Sequence, residues 1–256
     1  RGIRAIVIGF LFSFLNDAHE QRARAIVLEE IPDAYVHCSS AVVNVMREYE
    51  RLSTAAMNAF IGPRVAGYLQ RLESRLAGAG VSAPIRVMQS NGGIGTIETC
   101  SNRAVTILMS GPAGGVIGGR WAGAMSGAGN LITVDIGGTS ADISVIPEGQ
   151  VRIKNPRDTQ LNGYPVLTPM IDLQTIGAGG GSIAHIDRGG AFRVGPRSAG
   201  ASPGPACYGN GGDEPTVTDA QVALGRLDPD QFLGGDLSID PALARDAIER
   251  HLCGPL

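Results

Sequence analysis

Apolar runs and segments of helical periodicity alternate along the first part of the chain. The apolar run Ala5–Phe14 predicts a buried strand, and Tyr35–Cys38 predicts a second, shorter one. Between these runs, Asp17 and Glu20 have the spacing of a capping box, which predicts a helix that begins near Asp17. The apolar stripe of that helix consists of Ala23, Ile26, Val27 and Ile31. Because strand, helix and strand follow one another, the pattern favours an α/β fold.

A long helical region is predicted next, from about Val42 to Ala77. Its second half has apolar residues at helical spacing, namely Val65, Tyr68, Leu69, Leu72 and Leu76. Pro63 predicts a kink or a new start within this region, because proline lacks the amide proton that a continuous helix uses. Gly78 and Gly80 predict its C-terminal end.

Shorter elements follow the long helix. Ile85–Gln89 predicts a strand that enters the turn Ser90–Gly93, and Val105–Met109 predicts another strand. Ser110 is placed to cap a helix in which glycine recurs at every fourth position, at Gly111, Gly115, Gly119, Gly123 and Gly127. Such a ridge of small residues favours close packing against a neighbour, and an anion at the helix N-terminus near Ser110–Gly115 remains the alternative.

The composition changes near Gly129, which predicts two domains with bounds 1–129 and 130–256. Beyond this point, strands at 131–136, 141–147 and 150–154 are expected to form a meander. Loops rich in glycine and proline follow up to about Asp213. Two helices are then expected, at Thr218–Gly225 and Pro241–Leu252.

The turn between the first two of these strands carries the strongest chemical signal. Asp135 and Asp142 flank a turn that consists of Gly137, Gly138, Thr139 and Ser140. Glycine accepts unusual backbone angles and lets a ligand approach the N–H groups, and the hydroxyls add donors. The two carboxylates would hold Mg²⁺ directly or through its waters, which would offset their repulsion from phosphate. Phosphate binding is therefore favoured over an ordinary turn with solvated aspartates.

A second glycine-rich segment ends another apolar stretch. Its candidate site residues are Gly177, Gly179, Gly180, Gly181 and Ser182. The spacing does not match the Gly-x-Gly-x-x-Gly pattern of dinucleotide-binding folds. A flexible loop without special chemistry is one alternative. A serine nucleophile is another, although no partner residue for it is evident in the sequence.

Three further features carry weaker signals. The segment Pro196–Gly212 is long and rich in turn residues, which is typical of functional or disordered loops. Cys207 within it has no neighbouring histidine, so a structural role is favoured over a nucleophilic one. Among the histidines, only His185 with Asp187 has a spacing that merits a test as a metal ligand pair.

Composition narrows the class of protein. The 256 residues are 43% hydrophobic and carry 21 basic and 24 acidic residues, for a net charge of −3. No basic run with interleaved aromatics occurs, which argues against a nucleic-acid partner. Lys154 is the single lysine, and no Gly-Lys-Ser/Thr phosphate loop is present. The four dispersed cysteines favour reduced thiols and a cytoplasmic location. The apolar stretch Ala5–Leu15 is shorter than the roughly 20 residues that span a bilayer, so no membrane association is expected.

Several ordered motifs together resemble the hydantoinase/oxoprolinase family. The three longest are Asp135–Asp142, Thr175–Ala184 and Gly195–Gly209. Three shorter motifs strengthen the resemblance, namely Met88–Gly93, Ser110–Gly115 and Glu214–Asp219. The motifs cover nearly the whole chain, and they are more specific for the family than for any one substrate.

The resemblance implies the A-type subunit of an ATP-dependent hydrolase that opens a cyclic amide such as hydantoin, N-methylhydantoin or 5-oxoproline. It implies actin-like ATPase (ribonuclease H-like) lobes, with residues 1–129 in the first lobe and 130–256 in the second. It also implies ATP with Mg²⁺ or Mn²⁺ as cofactors and a B-type subunit as partner. Asp135, Gly137, Gly138, Thr139 and Asp142 then carry over as the phosphate and metal hairpin. The loop Gly177–Ser182 would lie toward the cleft between the lobes.

Two alternatives to the hydrolase stay open at this stage. Related subunits serve ketone carboxylases, and a nucleotide-sensing module without catalysis could bind phosphate with the same hairpin. The chain begins at Arg1 within an apolar run, and members of the family carry further nucleotide motifs on either side of the matching region. We therefore expect an internal fragment that by itself binds ATP weakly and has no hydrolase activity.

Overall fold

The computed structural model describes residues 3, 5–161, 163–235 and 237–254. The chain divides into two compact units. The first comprises Arg1–Leu131 and Val145–Asp172, and the second comprises Ile132–Ser144 and Leu173–Leu256. Helices and strands are mixed in both, in agreement with the predicted α/β class.

The elements of the first unit follow in chain order. They are β1 (Ala5–Ile8), α1 (Ala18–Glu30), β2 (Tyr35–Cys38), α2 (Ser39–Val42), α3 (Glu48–Gly78), β3 (Arg86–Met88), β4 (Ile94–Thr96), α4 (Ile97–Asn102), α5 (Ser110–Met125), β7 (Ile153–Lys154), β8 (Gln160–Leu161), β9 (Tyr164–Pro165) and β10 (Met170–Ile171). The hairpin strands β5 (Leu131–Ile136) and β6 (Ala141–Ile146) belong mainly to the second unit. That unit also contains β11 (Gln174–Ile176), β12 (Ser182–Ile186), β13 (Phe192–Ser198), α6 (Val217–Ala223) and α7 (Pro241–Ile248).

The first three elements form the predicted strand–helix–strand unit. Strands β1 and β2 pair in parallel, with Ala5 opposite Tyr35 and Ile8 opposite Cys38. The predicted extension of the first strand to Phe14 is wrong. The chain leaves the sheet after Ile8 because the Phe10 N–H donates to the Glu20 carboxylate at 3.0 Å, and turns follow.

A buried polar network fixes this part of the first unit. The Glu20 carboxylate accepts hydrogen bonds from the Ser39 hydroxyl at 2.7 Å and from the hydroxyl and N–H of Ser40. Burial alone would raise the pKa of Glu20, but the hydrogen bonds from Ser40 and Ser39 lower it to about 2. The predicted capping box of α1 is therefore wrong, because Glu20 serves this network and Asp17 makes no side-chain cap. The predicted apolar stripe of α1 is partly solvated, with Ile26 and Ile31 each 45% exposed.

The predicted long helix is present as α3, but it begins later than predicted. Helix α2 ends at Val42, and α3 begins only at Glu48. Helix α3 then continues through Pro63 without a new start and ends at Gly78, as predicted. Gly80 follows with a φ of +83°, which suits the predicted glycine stop.

Helix α3 also explains why the strand predicted at Val105–Met109 is wrong. Residues Ala104–Ile107 form a turn of 3₁₀-helix instead. The Asn58 side chain of α3 accepts from the Val105 N–H at 3.1 Å and donates to the Asn102 carbonyl at 3.1 Å. The backbone of this segment is therefore held by a side chain rather than by a neighbouring strand.

The turn Ser90–Gly93 forms as predicted, between β3 and β4. The buried Ser90 hydroxyl accepts from the Met109 N–H at 3.0 Å, at the residue that precedes α5. The predicted capping role of Ser110 is wrong, because Met109 is the N-cap and no side chain caps this helix. Close packing of the glycine ridge is found at Gly123, where a Cβ would lie 2.3 Å from the Leu131 side chain.

The second unit is built on a three-stranded sheet of order β11-β6-β5. The predicted meander is therefore wrong in its third strand, because Gln174–Ile176 fills that place and Ile153–Lys154 pairs with β10. Both predicted C-terminal helices are present as α6 and α7, and a π-helical turn at Glu249–Cys253 extends α7. Among the described residues, no helix combines the length and the apolar character needed to cross a membrane.

Candidate functional site

The turn of the β5–β6 hairpin places the two predicted acids together. The Gly137 N–H donates to the Ser140 carbonyl at 2.9 Å, which pairs these two residues across the turn. In the antiparallel register that this pair sets for β5 and β6, Asp135 is opposite Asp142 on one face of the sheet. The hydroxyl of Thr133 lies on that face, and it donates to the Ser144 carbonyl at 3.4 Å. This face is therefore polar at the end that meets the turn.

The two acids differ in their surroundings. Asp135 is exposed, whereas Asp142 is half-buried and accepts a hydrogen bond from the Thr175 hydroxyl of β11 at 2.5 Å. Thr175 stands opposite Asp142 in the sheet register. It was quoted in a sequence motif but was not predicted as a site residue, because its contact with Asp142 arises only from strand pairing over 33 residues of chain.

The loop Gly177–Ser182 packs directly on the turn of the hairpin. The N–H groups of Gly180 and Gly181 donate to the carbonyls of Gly137 and Gly138 at 2.9 and 2.6 Å. The fully buried Ser182 hydroxyl accepts from the Gly179 N–H at 2.9 Å and donates to the Thr139 carbonyl at 3.2 Å. The structure thus brings the two predicted glycine-rich segments together. The Ser182 hydroxyl serves as a brace between them, and its burial argues against a nucleophilic role.

Thr218, at the start of α6, secures the other side of this loop. Its N–H and its hydroxyl both donate to the Gly180 carbonyl, at 2.8 and 2.9 Å. Thr218 was not among the predicted site residues. Its place in the Glu214–Asp219 motif was the available signal.

The demand for glycine is strongest in the loop rather than in the turn. A Cβ on Gly179 would lie 2.5 Å from the Ser140 nitrogen and 2.6 Å from the Gly137 oxygen, which are backbone atoms that cannot rotate away. A Cβ on Gly138 would meet no atom within 4 Å, and neither Gly137 nor Gly138 has a positive φ. The unusual backbone angles expected of these two turn glycines are therefore absent. Their small size leaves the turn open to a ligand from outside.

We predict that Gly179→Ala separates the loop from the hairpin and lowers the free energy of unfolding by about 1–3 kcal/mol, as overpacking does. Urea denaturation of the chain measures this change. Gly138→Ala is the matched control, because its added methyl group points into open space and leaves the stability within about 0.5 kcal/mol. Equal stability of the two variants would contradict the close contact at Gly179.

Several donors at the turn stay available to a ligand. Among the described residues of the second unit, the N–H groups of Gly138 and Thr139 donate to no backbone acceptor, whereas the Ser140 nitrogen lies against Gly179. The exposed Thr139 hydroxyl lies beside them. Successive N–H groups in a turn form a concave site that suits an anion. The turn therefore offers donors to a phosphate, and two carboxylates stand beside it.

No group of three or more His, Cys, Asp or Glu side chains that could hold a metal occurs in the part of the chain that the structure describes. Asp135 and Asp142 by themselves suit Mg²⁺, which usually binds one or two carboxylates and takes its remaining ligands from water and phosphate. The pair His185 and Asp187 is used differently, because the Asp187 carboxylate accepts from the N–H groups of Gly189 and Ala191 and pairs with Arg193 at 3.0 Å.

The motif Gly195–Gly209 is held by the motif Glu214–Asp219. Arg197 forms two hydrogen bonds with the Glu214 carboxylate, at 2.7 and 3.1 Å. The fully buried Asp219 carboxylate accepts from the N–H groups of Ala206 and Cys207 and from Thr216. Burial and the neighbouring Asp219 raise the pKa of the Cys207 thiol to about 12. A thiol with that pKa is a poor nucleophile at neutral pH, which supports the predicted structural role.

The chain is similar in sequence and in structure to proteins of one family. The model of the hydantoinase/oxoprolinase family matches residues 51–255. The alpha subunit of caprolactamase from Pseudomonas jessenii is 43% identical over 254 residues, which cover 99% of this chain and 36% of that protein. A crystal structure of the ATP-dependent caprolactamase from the same organism superposes with a TM-score of 0.72 at 44% identity, over 94% of this chain and 34% of the other.

A nucleotide-free structure of acetone carboxylase, from work on ATP-dependent acetone carboxylation, superposes with a TM-score of 0.86 at 32% identity. The match covers 98% of this chain and 36% of that chain. The chain thus spans about a third of the length of the relatives that it matches.

Proposed function

Because the chain belongs to the hydantoinase/oxoprolinase family, we propose that it forms part of the nucleotide site of an ATP-dependent enzyme that hydrolyses a cyclic amide. The whole protein would be an A-type subunit with actin-like lobes, and it would work with a B-type subunit. Its substrate would be a small lactam or a ring of the hydantoin, N-methylhydantoin or 5-oxoproline type. The cytoplasmic location expected from the four cysteines stays a prediction.

The observation that carries the proposal is the docking of the loop Gly177–Ser182 on the hairpin turn. The hydrogen bonds from Gly180 and Gly181 occupy the turn carbonyls, so the turn presents its N–H groups rather than its oxygens to a ligand. A preorganised set of donors costs little to align when charge develops on a transferring phosphate. The packed loop therefore supports a role in phosphoryl transfer more than the turn sequence does by itself.

In the proposed mechanism, the amide carbonyl oxygen would accept the γ-phosphoryl group of ATP, with ADP as the leaving group. Water would then attack the activated ring carbon, which breaks the ring C–N bond and releases phosphate. Gly138 and Thr139 would orient the phosphate chain through their N–H groups, and Thr139 and Ser140 would do so through their hydroxyls. Asp135 and Asp142 would hold Mg²⁺ or Mn²⁺, which neutralises charge on the phosphate oxygens. Thr175 would keep the Asp142 carboxylate in one orientation through its 2.5 Å hydrogen bond.

A ketone carboxylase subunit is the second candidate. The superposition on acetone carboxylase, with a TM-score of 0.86, favours it. Both candidates need the same phosphate hairpin, since a carbonyl or carboxylate oxygen accepts the phosphoryl group in each case. The hydrolase would activate the carbonyl group of an amide, whereas the carboxylase would activate a ketone or bicarbonate. The two enzymes would also have different partner subunits.

The two candidates are separated by substrate-dependent ADP release from the whole protein together with its partner subunit. We expect release above background with at least one cyclic amide among hydantoin, N-methylhydantoin, 5-oxoproline and caprolactam, and formation of the ring-opened product. Release only with acetone and bicarbonate would establish the carboxylase instead. Nucleotide binding without turnover on any of these compounds would indicate a sensing module.

A further inference from the structure

A separate cavity in the first unit has the chemistry of an anion site. It has a volume of about 340 Å³ and is lined by three arginines, Arg47, Arg103 and Arg157. Glu50 is the acidic residue in the lining, and Val43, Val45, Met46 and Leu167 supply apolar surface. The volume lies at the lower end of the range of about 300–1,000 Å³ that is typical of small-molecule sites.

The residues that line this cavity carry a net positive charge. Arg47 is 3.8 Å from the Glu50 carboxylate, and the Arg47 side chain remains 67% exposed. Among the described residues of the first unit, the guanidinium groups of Arg103 and Arg157 have no hydrogen-bond or ion-pair partner. Three cations and one carboxylate leave two positive charges around the cavity, although the chain as a whole has a net charge of −3.

The walls of the cavity are fixed to α3 by buried or partly buried hydrogen bonds. On one side, the fully buried Arg51 donates to the Val45 carbonyl at 3.0 Å. On the other side, the Ser53 hydroxyl donates to the Pro165 carbonyl at 2.9 Å, and the Thr54 hydroxyl accepts from the Leu167 N–H at 2.9 Å. The cavity is thus a feature of the fold, because both walls are anchored to one helix.

The backbone at Arg47 is strained. Its φ is +84°, in a region that residues with a side chain rarely occupy. Such strain is often found at ligand sites, where the surrounding structure holds the residue in place. Here the Arg51 contact to Val45 holds the segment that carries the Arg47 side chain to the cavity.

The geometry points to a binding site for a small organic carboxylate with an apolar body. Two guanidinium groups without partners can form paired hydrogen bonds with a carboxylate, and the aliphatic lining covers a hydrocarbon ring or chain. The apolar part of the lining favours an organic carboxylate over inorganic phosphate, because phosphate has no hydrocarbon surface to bury there. This site does not depend on the role of the hairpin, since all its residues belong to the first unit.

The test is isothermal titration calorimetry of the whole protein with three probes, which are cyclohexanecarboxylate, its uncharged analogue cyclohexanecarboxamide, and inorganic phosphate. We expect the carboxylate to bind at least tenfold more tightly than either of the others. In the double variant Arg103→Gln/Arg157→Gln, carboxylate affinity falls at least tenfold, while the weak affinity for the carboxamide stays the same.

The matched control is Arg64→Gln/Arg75→Gln, which removes two exposed arginines of α3 outside the cavity and changes the net charge equally. Carboxylate affinity in the control stays within twofold of the original protein, and thermal unfolding shows that both double variants are folded. If carboxylate affinity fell equally in the two double variants, the loss would come from the change in net charge alone, and the proposal would be overturned. Tighter binding of phosphate, or no carboxylate binding at 10 mM ligand, would overturn it as well.

Discussion

Replacing Asp142 with asparagine lowers ATP turnover of the whole protein with its partner subunit by about a hundredfold. The substitution removes the negative charge that would hold the divalent ion. It retains the oxygen that accepts the Thr175 hydroxyl, so the pairing of β6 and β11 stays intact. The loss should therefore appear in the rate and in the Mg²⁺ concentration required, and not in the stability of the chain. Steady-state ADP release at varied Mg²⁺ measures both quantities.

Two further variants identify the source of that loss. Asp135→Asn should produce a loss of similar size, because the hairpin register places both acids on one face. Asp246→Asn on α7 removes one exposed carboxylate far along the chain from the hairpin and should leave turnover unchanged. If Asp135→Asn and Asp142→Asn retain full turnover, the hairpin is an ordinary turn and the proposed metal role of its acids is wrong.

Patterns within a segment predicted those elements that form mainly through the residues of that segment. The strand pair β1–β2, the C-terminal end of α3 and the hairpin β5–β6 follow from apolar patterning and from glycine positions. The strand expected at Val105–Met109 failed because a side chain 47 positions away, that of Asn58, holds this backbone. No periodicity within the segment could have revealed that contact.

In the candidate site, too, residues could be predicted from their own segment, but contacts between distant segments could not. The residues of the turn and of the loop Gly177–Ser182 were found from composition, since glycines, hydroxyls and acids are rarely concentrated by chance. Their mutual contact was not predictable, because it joins Gly137 to Gly180 across six intervening strands of the described chain, β6 to β11. The braces Thr175 and Thr218 were missed as site residues for the same reason.

The largest loss of stability is expected for Arg51→Met. The fully buried Arg51 side chain donates to the Phe10 carbonyl at 2.8 Å, to the Val45 carbonyl at 3.0 Å and to the Ser39 hydroxyl at 3.0 Å. Methionine has a similar length but no donor, so these buried acceptors would lose their partners. The free energy of unfolding should fall by about 3–5 kcal/mol, as measured by urea denaturation of the chain followed by far-UV circular dichroism.

Arg64→Met on the exposed side of the same helix is the control, and it should change stability by less than about 0.5 kcal/mol. The contrast matters because Ser39 accepts from Arg51 and donates to Glu20, so the arginine and the buried carboxylate act through one hydroxyl. Loss of the arginine should therefore also weaken the hydrogen bond that Ser39 donates to Glu20. The double variant Glu20→Gln/Arg51→Met should then lose less free energy of unfolding than the sum of the losses in the two single variants. Additive losses would show that the two charged groups stabilise the first unit independently.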